Sequence, residues 1–221
     1  MDLARLVRTE APAPEPTRPT GPGGGVDGNA RLTGIAGAAL FVILAVEGLT
    51  LLQMHQLISW HVFVGMLLVP LVLLKTASTM YRAGHYYTGD PPYAEKGPPH
   101  LLLRVTGPLL VLSTLALLGT GIALVALGRH VGGQYLWMHK ATFFVWAALL
   151  AIHLLGHTWE TVTLATADWR ERESSGAAEH RLAGARTRLG LLVVTLGVGV
   201  VLGVVSLGWV GSWHHFMHHL G

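Results

Sequence analysis

The chain has 221 residues, 51% hydrophobic and 12% charged, with a formal net charge of +3. Soluble domains carry about 25% charged residues, so a chain this poor in charge, with a mean hydropathy of +0.49, belongs mostly in lipid. It has no cysteine, which excludes disulfides, thiolate-held iron–sulfur clusters, covalently attached c-type haem and thiol catalysis.

Residues 1–31 include APAPEPTRPTGPGGG, a Pro/Gly-rich stretch with too little apolar surface to pack, and read as a disordered tail. No apolar core directly follows a basic start, so this is not a signal peptide. Five apolar segments follow, each long enough to span a bilayer: 32–52, 58–80, 101–127, 135–155 and 189–210. Pro70 interrupts the second, and Gly107-Pro108 falls early in the third; bundles tolerate such kinks where neighbouring helices compensate. The first connection is so short that spans one and two must form a tight antiparallel hairpin. The fourth, 161–188, is long and charged. In the fifth span Gly199 and Gly203 make a GxxxG pattern, which fits close helix packing or a glycine face against a flat macrocycle. Residues 211–221 close the chain with a His-rich tail.

Lysine and arginine placement gives the orientation. One side holds thirteen of the fifteen: Arg5, Arg8, Arg18 and Arg31; Lys75, Arg82, Lys96 and Arg104; Arg170, Arg172, Arg181, Arg186 and Arg188. The other holds Arg129 and Lys140. The N-terminus is therefore expected in the cytoplasm and the C-terminus outside, in a bacterial cell membrane. The sequence pI near 9.5 comes from these topology signals, so no nucleic acid is expected as a partner.

Thirteen histidines are the unusual feature. His139 and His153 lie on one span, and fourteen residues at about 100° each come within roughly 40° of four full turns, so both rings face one way. At about 1.5 Å per residue they stand roughly 21 Å apart, one near each edge of the bilayer core. An intramembrane imidazole is costly unless it meets protein, a cavity or a metal, and this register suits a helix holding haem near both faces. His61 opens the second span, which runs parallel to the fourth, so His61 and His139 share a depth near the external side. Two imidazoles from parallel helices can take both axial positions of one haem iron, an arrangement for electron transfer.

The inner site is more open. The residue fourteen after His61 is Lys75, which can ligate iron when neutral or can run its stem through lipid to the interface. His85, His100 and His157 are other possible partners for His153, and His157 could itself be the inner ligand. Glu47, the acidic residue well inside a span, is a candidate proton acceptor beside the outer haem; alternatively it is an interfacial carboxylate bonded to Gln53, His55 or water. In the tail, His214 with His218 and His215 with His219 are i,i+4 pairs that could bind Zn²⁺, Ni²⁺ or Cu²⁺.

The histidine opening span two and the paired histidines of span four resemble the cytochrome b subunits of respiratory formate dehydrogenases and nickel–iron hydrogenases, and small bacterial proteins of cytochrome b-561 type. LLKTASTMYRAGHYYTGDPPYAEKGPPHLLLRVTGPLL is most similar to small actinobacterial members. The resemblance covers about residues 32–160. It implies a four-helix bundle holding haem b, with span four giving one ligand to each of two haems and span two giving the other ligand of the outer one, the position of His61. The family takes its other inner ligand from span one, which has no histidine here. Some members work with molybdopterin oxidoreductases.

The expected protein is thus an all-α membrane protein of five helices, the first four binding one or two haems b. It would pass electrons between the quinone pool and a redox partner, with His61, His139 and His153 as iron ligands. Rival classes are a transporter or metal-handling protein built on the internal and C-terminal histidines, and a non-redox anchor subunit. An inverted repeat is missing and intramembrane charge is scarce, which disfavours a transporter. GPGGG follows no strand and is no dinucleotide fingerprint.

Overall fold

The structure, a computed structural model, describes residues 25–94, 101–128, 132–171, 185–211 and 213. They are helical throughout, with no strand among the described residues: α1 (Gly25–Thr50), a 3₁₀ turn (Leu51–Gln53), α2 (Met54–Tyr87), α3 (Pro91–Ala94), α4 (Leu101–Leu127), α5 (Gly132–Glu171) and α6 (Ala185–Leu207). Four helical stretches among them are long and apolar enough to cross a membrane: Gly28–Tyr87, Leu101–Leu127, Gly133–Gly156 and Arg186–Leu207.

The first stretch is a hairpin. Gln53 leaves the helical region at φ −136° and ψ 53°, and the chain reverses within the 3₁₀ turn. Antiparallel pairing follows from the cross-links: His61 to Glu47 and Thr50 near the turn, Lys75 to Thr33 further along, and Ser78 to Asn29 at the open end. At that open end Asn29 donates to the Ser78 carbonyl, Ser78 Oγ donates back to Asn29 Oδ1, and Thr33 meets Ser78 hydroxyl to hydroxyl. In hydrocarbon such paired polar groups hold helices together because neither has water as an alternative.

Those contacts correct a boundary. Residues 25–31, read from composition as part of the tail, form the first turns of α1, because α2 supplies polar partners that composition does not reveal. Likewise α5 runs to Glu171, through the start of the 161–188 segment expected as a loop, and the last long helix occupies 185–207 rather than 189–210. Residues 1–24, Lys96, His100, Arg129, Arg172, Arg181 and the 214–221 histidine tail lie outside the described residues.

α2 is the central element. Pro70 sits inside it without ending it. Its C-terminus closes with a Schellman motif: Gly89 takes φ +78°, its N–H bonds the Tyr86 carbonyl and the Asp90 N–H bonds the His85 carbonyl. α1 covers one flank of α2 and α6 another, while α4 and α5 pair with each other. Ala36, Leu40, Leu68, Leu71 and Val72 form one buried cluster with Leu118, Leu192 and Leu196 against it, joining α1, α2, α4 and α6. Ile58, Val62, Leu124, Val125, Val210 and Trp213 form a second, and Trp213 Nε1–H donates to the Leu124 carbonyl at 3.2 Å. The large apolar side chains of the outer faces, such as Phe144 and Val201, are exposed, as expected where the solvent is lipid.

The GxxxG pair lies in the α2–α6 contact. A Cβ on Gly199 would stand 2.8 Å from the Leu67 carbonyl oxygen, and one on Gly203 would stand 3.0 Å from that of Phe63. Of the two readings of this pattern, the structure has close helix packing. Gly199→Val should therefore destabilise the protein by about 1–3 kcal/mol through overpacking, seen as a lower Tm in detergent. Gly197→Val, at a position with nothing within 4 Å, should leave Tm nearly unchanged. Equal effects would show that α6 does not seat on α2 through this face.

Candidate functional site

His61 and His139 each stand about two turns from the start of their helices, α2 and α5. Thr120 is the same distance from the end of α4, and Glu47 and Thr50 lie in the last turn of α1. All five are therefore at one level, near the end where both helix pairs turn. There the two imidazoles meet, with ring centroids 6.4 Å apart and planes crossing at 80°.

The hydroxyls decide which nitrogen of each ring carries the proton. Thr120 Oγ1 donates its single proton to the α4 backbone, 2.9 Å from the carbonyls of Ala116 and Leu117. It lies 3.0 Å from His139 Nδ1; with its proton on one of those carbonyls it accepts there, which calls for an Nδ1–H on His139. Thr50 Oγ1 likewise donates to the Glu47 carbonyl at 2.6 Å and lies 3.1 Å from His61 Nδ1. Glu47 Oε1 accepts from the same nitrogen at 2.8 Å. Both rings are held through Nδ1–H, and each neutral ring keeps the Nε2 lone pair.

That is the tautomer a histidine needs to bind a metal through Nε2, with its second nitrogen anchored to an outer partner. The spacing also fits. A ring with bonds near 1.33 Å has a radius of about 1.1 Å. Two imidazoles holding one metal through bonds of about 2.0 Å would have centroids up to roughly 6 Å apart, against 6.4 Å here. Among the described residues no three His, Asp or Glu side chains gather as a metal site. The pair alone suffices only where a planar macrocycle supplies the other four ligands. Gly121 makes room for the ring of His139, whose Cε1 lies 3.1 Å from where a Cβ would be.

The other residues named from the sequence are placed apart from this pair. His153 is half-buried on α5. The α4–α5 register, set by His139 against Gly121 and Gly156 against Leu103, puts it level with Thr106 and Gly107. Lys75 does not run its stem out to the interface: its Nζ donates to the Thr33 carbonyl at 3.2 Å, in space that Gly37 leaves open. His85 bonds Asp90 Oδ2 through Nδ1 at 2.8 Å and stacks on Tyr93, with centroids 4.9 Å apart. His157 belongs to α5, but its side chain, like those of His100, His214, His215, His218 and His219, lies outside the described residues. Glu47 Oε1 bonds His61.

Thr50 and Thr120 escape a reading of the sequence. Their signals are faint: Thr50 follows Glu47 by three residues, on one helix face, and Thr120 stands between two glycines in an apolar run. Comparison with family models, curated proteins and solved structures finds no match, so the function has to be argued from this chemistry.

In haem-free protein, ¹⁵N spectra of labelled histidine should show His61 and His139 protonated at Nδ1 when neutral. Thr120→Val should turn His139 into a tautomer mixture and leave His61 as it was. An Nε2–H signal for both rings in the unmodified protein would contradict the hydrogen-bond assignment.

Proposed function

We propose that this chain is a haem b electron carrier of the bacterial cell membrane, with His61 and His139 as the two axial ligands of one haem. The observation that carries the reading is the pair itself: two rings 6.4 Å apart, on separate helices at one depth, each anchored through Nδ1. When bound, the haem supplies reversible one-electron chemistry at iron. His61 and His139 would hold it, and ligation by two histidines favours electron transfer over substrate or gas binding. Glu47, Thr50 and Thr120 fix the ring orientations. The helices that carry these groups are long and apolar.

In this reading the Gly28–Tyr87 stretch crosses twice, giving five spans with the N-terminus cytoplasmic, the C-terminus external and the haem near the outer face. The thirteen-to-two distribution of lysine and arginine supports that orientation. Electrons would pass between the quinone pool and a redox partner protein, for which a molybdopterin oxidoreductase is the class suggested by the sequence resemblance. A second haem at the level of His153 would need a partner other than Lys75 as it stands, because that amine is bonded to α1.

Purified protein should be red, with one haem per chain by pyridine haemochrome and sharp α and β bands on reduction. His61→Ala and His139→Ala should each abolish the low-spin spectrum. Full low-spin spectra in both variants would overturn the ligand assignment. Reporter fusions should be active outside the cell at the C-terminus and inside it at the N-terminus, and the reverse pattern would invert the topology.

A further inference from the structure

The two imidazoles have unequal partners. His139 gives its Nδ1 proton to Thr120, a neutral hydroxyl, at 3.0 Å. His61 gives its proton to a carboxylate, Glu47 Oε1, at 2.8 Å, with Thr50 alongside at 3.1 Å. The Glu47 side chain is only 15% exposed, and His61 is its one ion-pair partner among the described residues. Its second oxygen, Oε2, is buried without a hydrogen-bond partner among them. Among the described residues the group that Glu47 Oε1 pairs with is the imidazole of His61.

Building on the haem assignment above, we propose that Glu47 is the positioning residue that sets the reduction potential of this site. A largely buried carboxylate drawing on Nδ1–H gives His61 partial imidazolate character and makes it the stronger electron donor of the pair. In a low-dielectric surround a nearby negative charge also favours the more positive state of the site, the oxidised one. Both effects lower the potential. Thr120 exerts neither effect on His139, so the asymmetry comes from one side chain. Glu47 acts through His61 and need not touch the haem.

The test is potentiometric titration of purified, haem-loaded Glu47→Gln against wild type. Glutamine retains an acceptor oxygen and removes the charge. The variant should keep its low-spin spectrum while its oxidised-to-reduced ratio at fixed potential falls at least tenfold, which is about 59 mV upward for one electron. Glu47→Asp, which keeps the charge, should shift less. Thr195→Val, a comparable polar deletion on the exposed face of α6, should not shift it. If Glu47→Gln yields no haem protein, the near-infrared charge-transfer band of ferric wild type decides the matter. A band moved toward that of an imidazolate–imidazole pair supports the proposal, and a band at the position for two neutral imidazoles overturns it. A haem-loaded Glu47→Gln protein with an unchanged potential overturns this inference and leaves the ligand assignment standing. Wild-type protein without haem overturns both.

Discussion

A threonine hydroxyl has one proton to give, and Thr50 and Thr120 each stand within hydrogen-bond distance of a carbonyl of their own helix and of a histidine Nδ1 on a neighbouring one. With the proton on the carbonyl, what remains of each hydroxyl is an acceptor for that Nδ1. This converts two imidazoles of ambiguous tautomer into two rings of defined orientation. The back-bond to the helical carbonyl, slightly unfavourable in an exposed helix, is well used here because the surroundings offer no water. The rest of the site depends on it: if the rings were free to exchange tautomers, neither Nε2 would be reliably available for a metal.

The same economy of polar groups assembles the α1–α2 hairpin. Its two helices are held at three levels, by Glu47 and Thr50 with His61, by Thr33 with Lys75, and by Asn29 and Thr33 with Ser78. Between those levels the contact is apolar, through Ala36, Leu40, Leu68, Leu71 and Val72. Since lipid tails are as apolar as leucine, hydrophobicity gives such helices no preference for each other over lipid. Hydrogen bonds and close packing supply it. On the other flank of α2, Gly199 and Gly203 bring the α6 backbone onto Phe63 and Leu67. α2 is thereby fixed from two sides, and His61 cannot slide or rotate relative to α1.

α5 is the contrasting element. It pairs with α4, where Trp146 Nε1–H donates to Thr114 Oγ1 at 3.0 Å, and its outward residues Phe144, Val145 and Leu155 are exposed. His139 therefore reaches the site from the α4–α5 pair, while His61 reaches it from the α1–α2–α6 group. The two rings meet between these groups rather than inside either one. A planar cofactor in that position would bridge them and add to their cohesion, as ligands that bind only the folded state do.

Sequence periodicity and hydropathy were enough to identify an all-helical chain with helices long and apolar enough to cross a membrane, the hairpin of the first two apolar segments, and the shared depth of His61 and His139, whose rings stand 6.4 Å apart. The reason is that each is local or one-dimensional: a helix turns by a known angle and rises by a known distance, so depth and facing follow from residue number. The GxxxG pattern was legible as a close-packing face on similar grounds. Lateral arrangement was not legible, because hydropathy is blind to which helices touch. Only the tertiary structure decided that α6 lies on α2, that Asn29 and Thr33 of α1 bond Ser78, and that Lys75 turns to Thr33 instead of the interface. It also supplied Thr50, Thr120 and the carboxylate of Glu47 as the groups that orient the rings, since a hydroxyl in an apolar helix takes its meaning from what the neighbouring helix presents to it.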